Sequence, residues 1–243
     1  MPIDRTRVFI AEFIGTFALT FVGVLSISAD LVVGPAGSTA PLITAAFAHG
    51  LILAVMIAAV GHISGGHINP AVTLGFVVSG RMSPVTGAIY WAAQLAGAVV
   101  AGYLLSFMAG IDATAAGTPA VAENVGTGMG IILEAIGTFF LVFVVFGTAV
   151  DERAPKSVYP FAIGLTLAAS IMAIGALTGG ALNPARAFGP ALATSEFERH
   201  YVYWVGPLIG GAIAGLLQLF LMARAPSPAV AERGGPSPSE MRH

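Results

Sequence analysis

The tripeptide Asn-Pro-Ala occurs twice, at residues 69–71 and 183–185, and each copy opens an apolar run too short to cross a bilayer. An asparagine at a helix N-cap accepts a backbone N–H through its side chain. Proline at the first helical position loses no bond, because its missing donor has no partner there anyway. Asn69, Pro70 and Ala71, and again Asn183, Pro184 and Ala185, therefore read as helix starts. The first run gives way to Ser79-Gly80-Arg81 and the second ends at Ser195. Half-helices survive inside hydrocarbon only where the irregular chain leading into them is buried in protein or lines a watery cavity. The glycine-rich approaches to both asparagines are thus predicted to line a pore.

The rest of the chain supplies the surrounding membrane. It has 56% hydrophobic and 9% charged residues and a mean hydropathy of +0.88, whereas about 25% charged is usual for soluble domains. Apolar stretches at roughly 8–29, 42–61, 85–108, 127–149, 158–178 and 201–222 are each long enough to span. The fold class is all-α: a membrane protein of six transmembrane helices plus two re-entrant half-helices. Gly206, Gly210, Gly211 and Gly215 in the last stretch suit close helix approach.

Arg5, Arg7, Arg81, Arg153, Lys156, Arg224, Arg233 and Arg242 fall on one side if the N-terminus starts inside, leaving Arg199 outside and Arg186 within the membrane. Both termini are then cytoplasmic. The first stretch is too long for a signal peptide and lacks a small-residue cleavage site, so it is expected to be retained. Short loops and no targeting segment point to a prokaryotic plasma or inner membrane, with a vacuolar membrane as the alternative. A formal charge of −2 gives no reason to expect nucleic acid, and without cysteine there is no disulfide or thiol metal site. Residues 1–223 read as one channel domain. The Pro-, Ser- and Gly-containing tail 224–243 has no apolar period and is expected to be disordered.

The domain is internally repeated, about 8–108 against 127–222. Glu12-Phe13-Ile14-Gly15-Thr16-Phe17 pairs with Glu134-Ala135-Ile136-Gly137-Thr138-Phe139, and Phe47 and Phe161 each lie 22 residues before their asparagine. Three spans per repeat is an odd number, so the second half enters from the opposite side. The two half-helix N-termini then face each other, each with roughly half a positive charge, which disfavours cations and protons at the centre.

Ser64-Gly65-Gly66-His67-Ile68-Asn69-Pro70-Ala71-Val72-Thr73 and Asn183-Pro184-Ala185-Arg186 resemble the major intrinsic protein family, the aquaporins and glycerol facilitators, across roughly residues 8–222. The resemblance implies an hourglass fold, a homotetramer with one pore per subunit, and passive solute flow. By family position the carbonyls of Gly65, Gly66, His67, Gly180, Ala181 and Leu182 would supply acceptors along the pore. Each asparagine Nδ2–H would donate to passing water, and His49, Ile171, Gly180 and Arg186 would form the outer selectivity filter. Independently of the family, an intramembrane arginine with no acidic neighbour in sequence is expected to face a pathway, with a buried structural ion pair as the alternative. The filter quartet, with the run Tyr201–Gly211, is similar to plant tonoplast intrinsic proteins, some of which pass ammonia as well as water. The loop from Gly110 to Gly126, however, lacks the histidine that ammonia-permeable members commonly place there. Glycerol facilitators typically carry Asp after the second-motif arginine and bulky aromatics in the filter, where this chain has Ala187 and Gly180. Glycerol and urea remain the alternative solutes.

Glu12 and Glu134 are weighed as structural acceptors for buried N–H groups of the re-entrant loops, against a direct functional role. Both are predicted near span ends, which disfavours an ion-coupled transporter needing a carboxylate at the midplane. His62 and His67 read as loop-packing residues, with gating as the lesser alternative. No Ser/His/Asp, Cys/His or metal-ligand constellation suggests an enzyme, and no cofactor or metal is expected.

Overall fold

A computed structural model describes residues 4–33 and 41–222. The tail 224–243, expected to be disordered, lies outside the described residues.

The first half comprises α1 (Arg5–Val33), α2 (Leu42–Ser64), the half-helix α3 (Pro70–Val78) and α4 (Pro84–Ala109). A short α5 (Ile111–Ala116) sits in the connection between halves. The second half comprises α6 (Thr127–Val144), α7 (Tyr159–Thr178), the half-helix α8 (Pro184–Thr194) and α9 (Val202–Met222). Among the described residues six helices have membrane-spanning length and hydropathy, and their outward faces carry exposed Ile, Leu, Val and Phe, as lipid requires. The all-α expectation of six spans and two half-helices holds.

Each local start has a visible cause. Asn69 caps α3 with its Oδ1 2.8 Å from Ala71 N, and Asn183 caps α8 by accepting from Ala185 and Arg186 N–H at 3.0 and 3.2 Å. Ser83 caps α4 in the same way, again with proline at the first helical position. The last turns of α6 widen into a π-helix over Val145–Val150, a local unwinding that recurs at functional sites. Lys156 Nζ donates to two carbonyls at the end of that segment, Ala149 O at 3.0 Å and Asp151 O at 2.7 Å.

Packing makes the two halves interlock. Helix α2 crosses α7, while α8 packs on α4 and α3 packs on α9. At the α2–α7 crossing Gly50 faces Gly164, and a methyl on either would collide with the other's backbone carbonyl. In α9, Gly206 and Gly210 fit against the α6 backbone, and Gly211 and Gly215 receive the carbonyls of Ala71 and Gly75 in α3. A membrane interior offers no hydrophobic drive between helices, so such close van der Waals fits carry the association.

Candidate functional site

The two approaches to the asparagines are near copies in shape. Gly65 and Gly179 have φ of 88° and 82°, and Gly66 and Gly180 have 63° and 59°. Ile68 and Leu182, both fully buried, follow at 54° and 52°. A β-branched residue in the left-handed region is strained and persists only where its surroundings over-determine it. Here two sets of bonds do so.

One set comes from the buried carboxylates. Glu12 Oε1 accepts from Ser64 Oγ–H at 2.7 Å and His67 N–H at 2.9 Å, and its Oε2 accepts from Ile68 N–H and Gln94 Nε2–H, both at 2.7 Å. Glu134 Oε1 accepts from Thr178 Oγ1–H at 2.7 Å and Ala181 N–H at 3.0 Å, and its Oε2 from Leu182 N–H at 2.7 Å. Tyr90 and Tyr203 complete the symmetry, donating to the carbonyls of Ser64 and Thr178. The expectation that both carboxylates lie near span ends is corrected. Each is the eighth residue of its helix, roughly two turns in at 3.6 residues per turn, and fully buried against a loop. They sit that deep because their donors do.

The other set crosses between halves. Asn69 Nδ2 donates to Leu182 O and Asn183 Nδ2 to Ile68 O, each at 2.8 Å. An amide nitrogen has two hydrogens, so one N–H of each asparagine is spent on the opposite loop and one remains. The expectation that Leu182 offers a carbonyl to the pore is likewise corrected. Its oxygen already accepts from Asn69 and, at 3.4 Å, from Thr138 Oγ1. The carbonyls of Gly65, Gly66, His67, Gly180 and Ala181 accept no protein hydrogen bond among the described residues.

A cavity runs along this seam from His49 and Arg186, past Asn69, Asn183, Gly65, Gly66, His67 and Ala181, to Phe76, Val145 and Ala149. Its opposite wall is apolar, with Leu53, Ile57, Leu141 and Leu167. On the outer side a second cavity is lined by Ala45, Ala116–Ala120, Ile171, Gly175 and Gly179, and it shares His49 and Arg186 with the first. Those two side chains stand where the cavities meet. Gly180 packs directly against Ile171 of the same quartet. A Cβ there would stand 3.2 Å from the Ile171 Cα, so its absence of a side chain lets the loop close onto α7, and the neighbouring Gly179 lines the outer cavity.

Arg186 Nε donates to His49 Nε2 at 3.0 Å, so that ring nitrogen is the acceptor and Nδ1–H donates to Ala45 O at 2.7 Å. Gly23 of α1 makes room for the ring, because a Cβ there would collide with the imidazole. Arg186 is 3% exposed, makes no salt bridge among the described residues, and its Nη1 is sealed without a partner. A buried cation without a salt bridge, at a junction of two cavities, repels cations and offers hydrogen-bond donors.

Sequence reasoning missed Ser64, Thr178, Tyr90, Tyr203, Gln94 and Gly23. The repeat itself contained a signal for two of them, since Ser64 and Thr178 each lie five residues before their asparagine. Outside the membrane, Asp151 is held down at about 2 by hydrogen bonds from Arg153, and burial among aromatic rings lowers His200.

Two antiparallel repeats with half-helices meeting end to end beside a cavity lined by both asparagines define a transmembrane channel architecture. Consistent with that, residues 2–218 match the Major intrinsic protein family, and the chain belongs to it. It is 45% identical over 215 residues to Aquaporin TIP2-1 of Arabidopsis thaliana, covering 87% of this chain and 85% of that protein. It is 46% identical over 216 residues to Aquaporin TIP4-4 of Zea mays, covering 87% and 84%. The X-ray structure of the aquaglyceroporin from Plasmodium falciparum shares the fold, with a TM-score of 0.72 at 24% identity over 88% of this chain and 95% of that one.

Proposed function

We propose that this protein is a passive water channel, in which water moves down osmotic gradients past Asn69 and Asn183 while protons and ions are excluded. The observation that carries the reading is the crossed pair of asparagine bonds, which locks two helix N-termini around one point and leaves one N–H per amide for the solute. A water accepting from both amides turns its own hydrogens toward the two mouths, which breaks a continuous proton wire. The two positive helix ends and Arg186 add a barrier to cations. The free carbonyls of Gly65, Gly66, His67, Gly180 and Ala181 give each water an acceptor beside an otherwise apolar wall. That the relatives above are named aquaporins supports water as the solute.

In this reading His49, Ile171, Gly180 and Arg186 act as the outer filter. Without an aromatic opposite the arginine, ammonia is the second candidate solute, ahead of glycerol and urea. The channel is a homotetramer of a 1–223 domain, is not an enzyme and needs no cofactor. Both termini are cytoplasmic, an orientation compatible with the plasma or inner membrane and equally with the vacuolar membrane that TIP-type relatives suggest. Stopped-flow shrinkage of proteoliposomes tests this, with an impermeant osmolyte, with glycerol, and with internal pH recording for ammonia. Water flow well above empty vesicles, with no proton leak, is expected. Water flow equal to that of empty vesicles, or flow that ionophores alter, overturns it.

A further inference from the structure

Arg199, in the turn that leads into α9, stands in the left-handed region with φ of 49°. Glycine or asparagine takes that conformation with less strain, and a strained arginine persists only where its surroundings hold it. Its side chain shows what does. Nη1 donates to Val125 O at 3.1 Å and Nη2 to Val121 O at 2.8 Å, two carbonyls of the connection between the halves. Its one carboxylate contact among the described residues is Glu198, 3.4 Å away and 83% exposed, and an ion pair so open to water holds little. The fork is spent on the loop.

What it grips is continuous with one wall of the outer cavity. Val121 and Val125 bury their side chains beside Val202 and Tyr203 of α9. Ala122 N–H donates to Leu177 O near the end of α7 at 2.9 Å, and Pro119 rests on Gly179, where a Cβ would come within 2.9 Å of it. Ala116–Ala120, just upstream, line that cavity together with Ile171, His49 and Arg186. They are Ala, Gly, Thr, Pro and Ala. With no long side chain to reach inward, this wall stands wherever its backbone is held, and Arg199 supplies the charge-assisted bonds that hold it. The filter quartet contains no Phe, Tyr or Trp, so the exclusion of wider solutes falls in part to this wall.

We infer that Arg199 is a positioning residue for solute specificity: by fastening the carbonyls of Val121 and Val125 it holds the 116–125 connection inward and keeps the outer mouth too narrow for neutral solutes wider than water and ammonia, the class of polyols and urea. This rests on the channel reading above. Arg199 lines neither cavity, so it acts through the loop and not on the solute.

Arg199→Gly removes the fork and relieves the backbone strain together, so it tests the clamp without penalising the turn. In proteoliposomes of matched channel density its ratio of glycerol flow to water flow is expected to rise severalfold. Arg199→Lys, whose single ammonium cannot fork to both carbonyls, is expected to fall between it and the wild type. Hydrogen exchange at the Ala122 amide is expected to quicken by about tenfold or more in Arg199→Gly, since a bond from a charged donor holds the loop by at least that factor. In the wild-type channel the two Nη 15N signals of Arg199 are expected to be resolved, because bonds to two separate carbonyls stop the guanidinium from rotating. A single averaged Nη signal overturns the inference, whether or not the variants fold. So does an Ala122 amide that exchanges at the wild-type rate in Arg199→Gly. Faster exchange with an unchanged glycerol-to-water ratio overturns it too, because the loop then moves without consequence for specificity. A wild-type protein that passes no water defeats the channel reading instead, so the two failures are distinguishable.

Discussion

Replacing Glu12 by glutamine changes one oxygen to NH2 and almost nothing else, yet both oxygens of Glu12 face donors. With the new NH2 at the Oε2 position, Gln94 can flip its amide and offer its otherwise unpaired Oε1, but Ile68 N–H loses its acceptor. With the NH2 at the Oε1 position, Ser64 can rotate to accept, but His67 N–H is stranded. Either way one buried backbone donor goes unpaired, a cost of about 1–3 kcal/mol. For a chain of this size that lowers Tm by roughly 2–12 °C. Glu134→Gln faces the same choice between Leu182 N–H and Ala181 N–H, so a drop of similar size is expected. Thermal unfolding of both variants in the same detergent, followed by intrinsic tryptophan fluorescence, measures this. An E12Q channel as stable as the wild type would refute the reading of Glu12 as an acceptor for four donors.

Three further outcomes are expected. His49→Phe with Ile171→His should narrow the filter and depress ammonia flow more than water flow in the vesicle assay; equal loss of both would contradict the filter assignment. Gly164→Ala should push α7 from α2, destabilising by about 1–3 kcal/mol as overpacking does, and the thermal midpoint of the purified channel checks it. Asp151 titrates at about 2 instead of 3.8 because Arg153 bonds its charged form. A depressed carboxylate contributes stability above its ordinary value and loses it as pH falls through about 2, so nothing changes between pH 5 and 8. Arg153→Ala should raise the midpoint toward 3.8, read from the carboxyl 13C shift.

The half-helices and spans were legible because proline, asparagine and hydropathy act locally. Asn69 and Asn183 cap their helices by bonds two and three residues long. Distant partners were not legible. That Asn69 would spend a hydrogen on Leu182 depends on a fold-back of 113 residues, and no local propensity announces it. Ile68 and Leu182 run against propensity, since left-handed positions usually go to Gly or Asn. Their conformation is imposed by Glu12, Glu134 and the opposing asparagines. The carboxylates illustrate a third kind of miss. Counting residues from the start of an apolar stretch put them near the surface, while the loops they serve dip far enough to meet them.

The glycine seats in α9 bear on the order in which the pore is assembled during synthesis. Helix α8 docks on α4, which precedes it in the chain, whereas α3 docks on Gly211 and Gly215 of α9, the last helix made. A nascent chain halted before residue 202 has already built the berth for the second half-helix but not for the first. The wall encoded second is therefore free to set first, and the wall that carries His67 waits for the final span.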